Sequence, residues 1–187
     1  MQGKAEKWEI SLKALKDGNE KYLRAYKSDG DISPEARLHT FRNGQSPYAV
    51  IVSCSDSRVL PESIFGAGIG DLFVIRVAGN ITDNIAIGSI EYALSHLNTP
   101  LVVVLGHTCC GAVNAAICGG AEGHIKSITD KIKLAIGDEH NDYAACKLNV
   151  KSEARAISNA LSQENVSAKV MGAIYHIDTG KVEFIED

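Results

Sequence analysis

The sequence has no surplus of positive charge, no long apolar run and no internal repeat. Against 19 Lys and Arg stand 23 Asp and Glu, a formal net charge of −4. That excludes the basic footprint by which a protein engages a phosphate backbone. No stretch approaches the ~20 consecutive apolar residues of a membrane span. The first 27 residues are charged and amphipathic and lack the apolar segment of a secretory signal, which sets the expectation of a cytoplasmic protein. Five cysteines, an odd number, fit the same reducing setting and leave thiols available for a metal rather than for disulfides. Gly66, Gly68 and Gly70 lie close together, but no GxGxxG or Walker pattern surrounds them, so they read as turns before a strand.

What is present is the material of one domain. The 187 residues, 45% hydrophobic and 22% charged, suffice for a sizeable core. Trp8, Leu12, Leu15, Tyr22 and Tyr26 recur at helical spacing, so residues 4–27 read as an amphipathic helix. Ser33 and Pro34 fit a helix start. The run 48–53 is apolar without alternation, the pattern of a strand buried on both faces. A second strand is expected over 71–78. A helix capped by Asp83 should present Ala86, Ile90, Ala93, Leu94 and Leu97 as one apolar stripe, and a third strand should follow Pro100 over 101–106. Further helices are expected over 111–118, around Ile125–Ala135 and around Val150–Leu161, with a polar loop over 137–147 between the last two. The end of the chain reads as a hairpin, 168–177 and 181–185. Strands alternating with helices predict an α/β fold. Its mostly parallel sheet is flanked by helices, with a C-terminal antiparallel hairpin and an N-terminal helical arm. Residues 1–187 are taken as a single domain, with the arm in 1–40 and the core in 45–187.

Two short segments follow the buried strands: Cys54-Ser55-Asp56-Ser57-Arg58 and His107-Thr108-Cys109-Cys110-Gly111. In a parallel α/β sheet, sites form at the carboxyl ends of strands. Neighbouring strands would therefore gather Cys54, His107 and Cys110 around one point. Two thiolates and an imidazole are a zinc set, and three protein ligands leave the fourth position that a catalytic zinc requires. Buried cysteines and a satisfied core histidine would be the ordinary reading of each residue taken alone. A structural zinc site would show a fourth ligand, and none is evident, since Cys109 adjoins Cys110 and should point elsewhere. Asp56 and Arg58 would ordinarily be a surface ion pair worth at most about 1 kcal/mol. Beside a zinc whose bound water has a pKa near 7, a carboxylate held by a guanidinium becomes an oriented proton acceptor.

CSDSR, a strand and then GHxxCG together resemble the β-class carbonic anhydrases. The resemblance implies a zinc enzyme, one Zn2+ per chain on Cys54, His107 and Cys110, that interconverts carbon dioxide and bicarbonate. It implies that Asp56 and Arg58 form the catalytic dyad, with Asp56 able to become a fourth ligand in a closed state. It implies substrate-binding roles for Gln45, Phe73, Ala78, Tyr92 and the backbone N–H of Gly111. A homodimer or a dimer of dimers is implied too, with Tyr92 at a shared site and the stripe of the first helix on a neighbouring subunit. One branch of the family carries a bicarbonate effector site built on a tryptophan three residues before the first zinc cysteine. Here that position is Ile51, although Arg76 matches the arginine of the same site, and an open metal site near neutral pH is expected. The proton shuttle stays open among His39, His96, His124, His140 and His176. Two rival readings also stay open: a hydrolase of carbonyl sulfide or carbon disulfide on the same scaffold, and a zinc-binding module without activity. A carbon dioxide hydration assay on the zinc-loaded protein discriminates best among them.

Overall fold

The computed structural model describes residues 2–24 and 30–185. A five-stranded sheet is built from β1 (Ala49–Ser53), β2 (Leu72–Arg76), β3 (Leu101–His107), β4 (Lys169–Tyr175) and β5 (Val182–Ile185), in the order β2-β1-β3-β4-β5. The first four strands run parallel, and β5 returns antiparallel to β4, as the hairpin pattern predicts. Every residue of β1 and of β3 is buried, which is why neither strand alternates polar and apolar residues.

The period of two along these strands divides the core into two layers. Val50, Val52, Val102, Val104 and Ile174 face one side. There they meet α4 (Asn84–His96), α5 (Gly111–Cys118), α6 (Ile125–Ile136) and α7 (Asp142–Gln163). Ala49, Ile51, Leu101, Val103, Leu105 and Ala173 face the other side, against Leu15 of α1 (Gln2–Arg24) and Ile64 of the short α3 (Pro61–Ile64). The remaining helix, α2 (Pro34–Asn43), buries no residue and starts where Ser33 and Pro34 predict, with Ser33 Oγ accepting from Ala36 N.

The stripe of α1 lies on its own sheet. Asn19 ties it there, donating to the carbonyls of Ile64 and Gly180 and accepting from Val182 N, and Tyr22 OH meets Tyr175 OH at 3.1 Å. Tyr26, expected to extend the stripe, falls outside the described residues.

Two expectations need correction. The polar stretch 137–147 is not all loop, because α7 begins at Asp142, with Asn141 as its cap accepting from Ala144 N. Asp138, His140 and Asn141 are exposed while Ala145 and Cys146 are buried, a pattern too short at its apolar positions to register as periodic. The strand expected over 71–78 ends at Arg76, and Ala78–Asn80 instead form one 3₁₀ turn.

Helix α7 comes unusually close to the sheet. A Cβ on Gly106 would lie 2.4 Å from Val150 Cγ2, and one on Gly172 would lie 2.6 Å from Val150 Cγ1. The two glycines form a floor on β3 and β4 that only hydrogen atoms line. Val150 is fully buried and β-branched, so it cannot swing aside. Gly172→Ala should therefore destabilise the fold by about 1–3 kcal/mol through overpacking, read as a lowered midpoint in urea. An unchanged midpoint would show that α7 can lift off the sheet without cost.

Candidate metal centre

Strands β1 and β3 are direct neighbours in register, Ser53 opposite Leu105, so their carboxyl ends emerge side by side. Cys54 is the first residue beyond β1 and His107 the last of β3. Three residues on, Cys110 is the N-cap of α5, where the positive end of the helix dipole favours a thiolate. The three donor atoms lie within 4.8 Å of one another, and all three residues are buried. Cys109, between the ligand positions, is exposed and left-handed at φ 57°. It turns its side chain away, as its place beside Cys110 predicts.

The chemistry of this donor set fits a divalent, thiophilic cation. His107 Nδ1 lies 2.9 Å from Thr108 O, an acceptor, so Nδ1 carries the proton and Nε2 carries the lone pair. That Nε2 is buried and has no hydrogen-bond partner. An orphaned lone pair of this kind is costly in a folded interior unless something else binds it. A hydrogen bond from Cys110 first, then the neighbouring His107 ring and the backbone N–H groups of Asp56 and Gly79, pull the Cys54 thiol down to about 4 against the opposing effect of burial. Cys110 is pushed up by the same bond to Cys54 and by burial. Without a cation the pair therefore holds one thiolate, and a bound cation would draw off the second proton.

Asp56 stands at the edge of the cluster, its Oδ2 4.0 Å from His107 Nε2. Arg58 grips it twice, Nε to Oδ1 at 3.0 Å and Nη2 to Oδ2 at 2.7 Å, and Arg58 N adds a third bond to Oδ1 at 2.9 Å. The guanidinium holds the carboxyl well below the usual carboxylate range. Arg58 also donates to Cys109 O at 3.3 Å, which spans the dyad across to the second ligand loop.

The substrate residues expected from the sequence are distributed unevenly. Ala78 opens the 3₁₀ turn beside Cys54, Gly111 is the first residue of α5 next to Cys110, and Phe73 sits on β2 with its ring 6.3 Å from that of Tyr92. Tyr92 is 47% exposed and stacks on His96. Gln45 is not brought to the cluster: it is exposed and precedes β1, whereas Cys54 follows it. Five strand residues, at about 3.3 Å each, put roughly 16 Å between the two ends. Ile51 is fully buried on the layer that faces α1 and α3. Arg76 donates to the carbonyls of Cys54 at 3.1 Å and Asp56 at 2.7 Å, bracing the first ligand loop.

Several residues around the centre carried no motif. Gly79 N–H donates to Cys54 Sγ at 3.2 Å, Asp142 Oδ2 accepts from Cys109 N at 2.8 Å, and Thr108 Oγ1 accepts from Ile177 N at 3.1 Å. Asn149 and Glu153 interrupt the apolar stripe Cys146, Val150, Ile157 and Leu161 of α7. Polar residues at core positions are the one sign by which sequence could have marked them.

Comparison with known proteins agrees with the geometry. The carbonic anhydrase family model matches residues 49–182. Carbonic anhydrase 2 of Mycobacterium tuberculosis is 44% identical over 129 residues, 66% of this chain and 62% of that protein, so the match spans under two thirds of that relative's length. Carbonic anhydrase of Mycolicibacterium smegmatis is 35% identical over 190 residues, covering 91% of this chain and 90% of the relative. Among solved structures, the β-carbonic anhydrase CafA of Aspergillus fumigatus matches with a TM-score of 0.69 at 28% identity, over 80% of each chain. The Coccomyxa β-carbonic anhydrase, at 23% identity and a TM-score of 0.71 over 81% of this chain and 78% of that one, shares the fold. With the two ligand segments at adjoining strand ends and relatives matched along nearly the whole chain, this protein belongs to the carbonic anhydrase family, in its β class.

Proposed function

We propose that the chain binds one zinc ion through Cys54 Sγ, His107 Nε2 and Cys110 Sγ and catalyses the reversible hydration of carbon dioxide to bicarbonate and a proton. The observation that carries this reading is the buried, unpartnered His107 Nε2 gathered with two buried sulfurs beside a carboxylate gripped by arginine. Two sulfurs and an imidazole select zinc over the hard cations that prefer oxygen. Zinc held there would supply a Lewis acid that lowers the pKa of water to about 7.

The protein's own groups account for the rest of the reaction. Asp56, kept ionised by Arg58, can only accept; its Oδ2 holds the remaining proton of the attacking water and so turns that oxygen's lone pair toward carbon. Arg58, by taking both carboxylate oxygens, keeps Asp56 off the ligand cluster and the fourth position free. The site stands open near neutral pH for that reason, and Ile51, with no donor in its side chain, gives an effector bicarbonate nothing to bind. Gly111 N–H belongs to the first turn of α5, where backbone donors have no partner within the helix, and it suits the anionic product. Ala78 supplies apolar surface for carbon dioxide, while Phe73, opposite Val50 near the start of β1, would line a site only from a second copy. Gln45 reaches a site only if a second copy presents it, because its own β1 holds it at the opposite end of the sheet. We therefore propose a homodimer as the smallest active unit, with pairing into a tetramer as the next step. Stopped-flow hydration of carbon dioxide by the zinc-loaded protein tests the activity directly.

Cys110→Ser should lose most of its metal by elemental analysis, since a hydroxyl is a poor zinc ligand beside a thiolate. Zinc retained in full would remove Cys110 from the ligand set.

Asp56→Asn should lower turnover by about 100-fold, and Arg58→Ala should also lower it strongly, while zinc content in both stays at one per chain. Near-normal rates in both would reduce the pair to a surface contact.

Light scattering at micromolar concentration should show a dimer or larger species. Mixing Gln45→Ala with Asp56→Asn should restore part of the lost activity, because one site of the mixed dimer then has both residues intact. An active monomer, or no recovery on mixing, would contradict the shared site.

A further inference from the structure

We infer that Asn149, acting through Gly79, positions the Cys54 ligand and thereby sets the metal affinity of the site, an inference that rests on the metal-centre reading above. Asn149 is fully buried on α7, among Cys146, Val150 and Ile157. Its Nδ2 donates to Gly79 O at 2.9 Å, and its Oδ1 has no partner. An amide placed so deep, with half its polar capacity unmet, works against stability. An apolar side chain would suit the surrounding core better, so the single bond it makes points to a role outside packing.

That bond ends on the residue that touches the ligand. Gly79 N–H donates to Cys54 Sγ at 3.2 Å, and the other backbone donor to this sulfur, Asp56 N, is more distant at 3.4 Å. Gly79 has φ 70°, and a Cβ there would sit 2.7 Å from Ile132 Cδ1 and 3.1 Å from Ala112 Cβ. The position therefore demands glycine. Glycine, however, does not hold one conformation by itself. Asn149 removes that freedom by fixing the Gly79 carbonyl. One helical turn further on, Glu153 fixes the far end of the same segment, accepting from Thr82 N at 2.9 Å and Thr82 Oγ1 at 2.6 Å. Between these two holds the 3₁₀ turn keeps its N–H aimed at the sulfur, which fixes the Cys54 rotamer and stabilises charge on Sγ. The approach of α7 over Gly106 and Gly172 brings Asn149 within reach.

The test uses the whole chain, nitrogen-labelled and loaded with NMR-active cadmium, together with Asn149→Leu and Asn149→Ala. In the unsubstituted protein the Gly79 amide should show scalar coupling to cadmium across the N–H···S bond. In both variants that coupling should vanish or shrink. Zinc affinity, measured by competition with a chelator, should fall by about 10- to 100-fold, while the thermal midpoint of the metal-free protein stays near that of the parent. A residue with a packing role only would shift the midpoint and leave the coupling in place. Equal coupling and equal affinity in the variants would overturn the inference while leaving the metal centre standing. Failure of both variants to fold would overturn it too, by making Asn149 a folding residue. If the unsubstituted protein bound neither cadmium nor zinc, the metal-centre reading itself would fall.

Discussion

The parallel pairing of β1 with β3 is the constraint on which everything else in this protein depends. Ser53 opposite Leu105 fixes the register, and that register puts Cys54 and His107 at adjoining strand ends. A slip of one residue would turn every side chain of β1 to the other layer, exchanging Val50 and Val52 with Ile51 across the sheet. Because both faces are buried, each such exchange would misplace fully packed side chains. The hydrophobic core thus holds Cys54 and His107 in place, and the register is as firm as the core that enforces it.

The centre is a concentration of unsatisfied demand inside that firm frame. Two sulfurs, an imidazole lone pair and a carboxylate meet there; Arg58 pairs with the carboxylate, and Arg76 reaches only backbone carbonyls of the same loop. A group of donors this rich in negative charge and lone pairs is poorly matched to an apolar interior. It is well matched to a dication. Arg58 compensates the carboxylate alone, which leaves the thiolates and His107 Nε2 to a cation. Its further bond to Cys109 O couples the dyad to the second ligand loop, so the arrangement of Asp56 follows the arrangement of Cys110.

Helix α7 underlies both loops. Asp142 in its first turn accepts from Cys109 N and so holds the left-handed residue between His107 and Cys110. Asn149 and Glu153 hold the 3₁₀ turn beside Cys54. The helix can do this because Gly106 and Gly172 let Val150 seat directly on the sheet. Close packing at one apolar contact is thus what places three polar side chains at the distances their hydrogen bonds require.

By itself the sequence determined the α/β class, the buried strands, most of the helices and the three residues that gather at the strand ends. These features rest on local patterns: apolar runs in β1 and β3, the caps Ser33 and Asp83, the pair of motifs that follow the strands. It also marked Asp56 and Arg58, because two residues apart in one loop they could hardly fail to meet. The start of α7 escaped, since Asn141, Asp142 and Tyr143 read as loop until Ala145 and Cys146 are seen to be buried. Only the tertiary structure decided that Gln45 stands at the far end of β1 from the ligands, that the stripe of α1 lies on its own sheet, and that Asn149, Asp142 and Gly79 brace the centre. These are contacts between segments far apart in the chain. No local periodicity encodes them, because they arise when the sheet register and the seating of α7 bring those segments together.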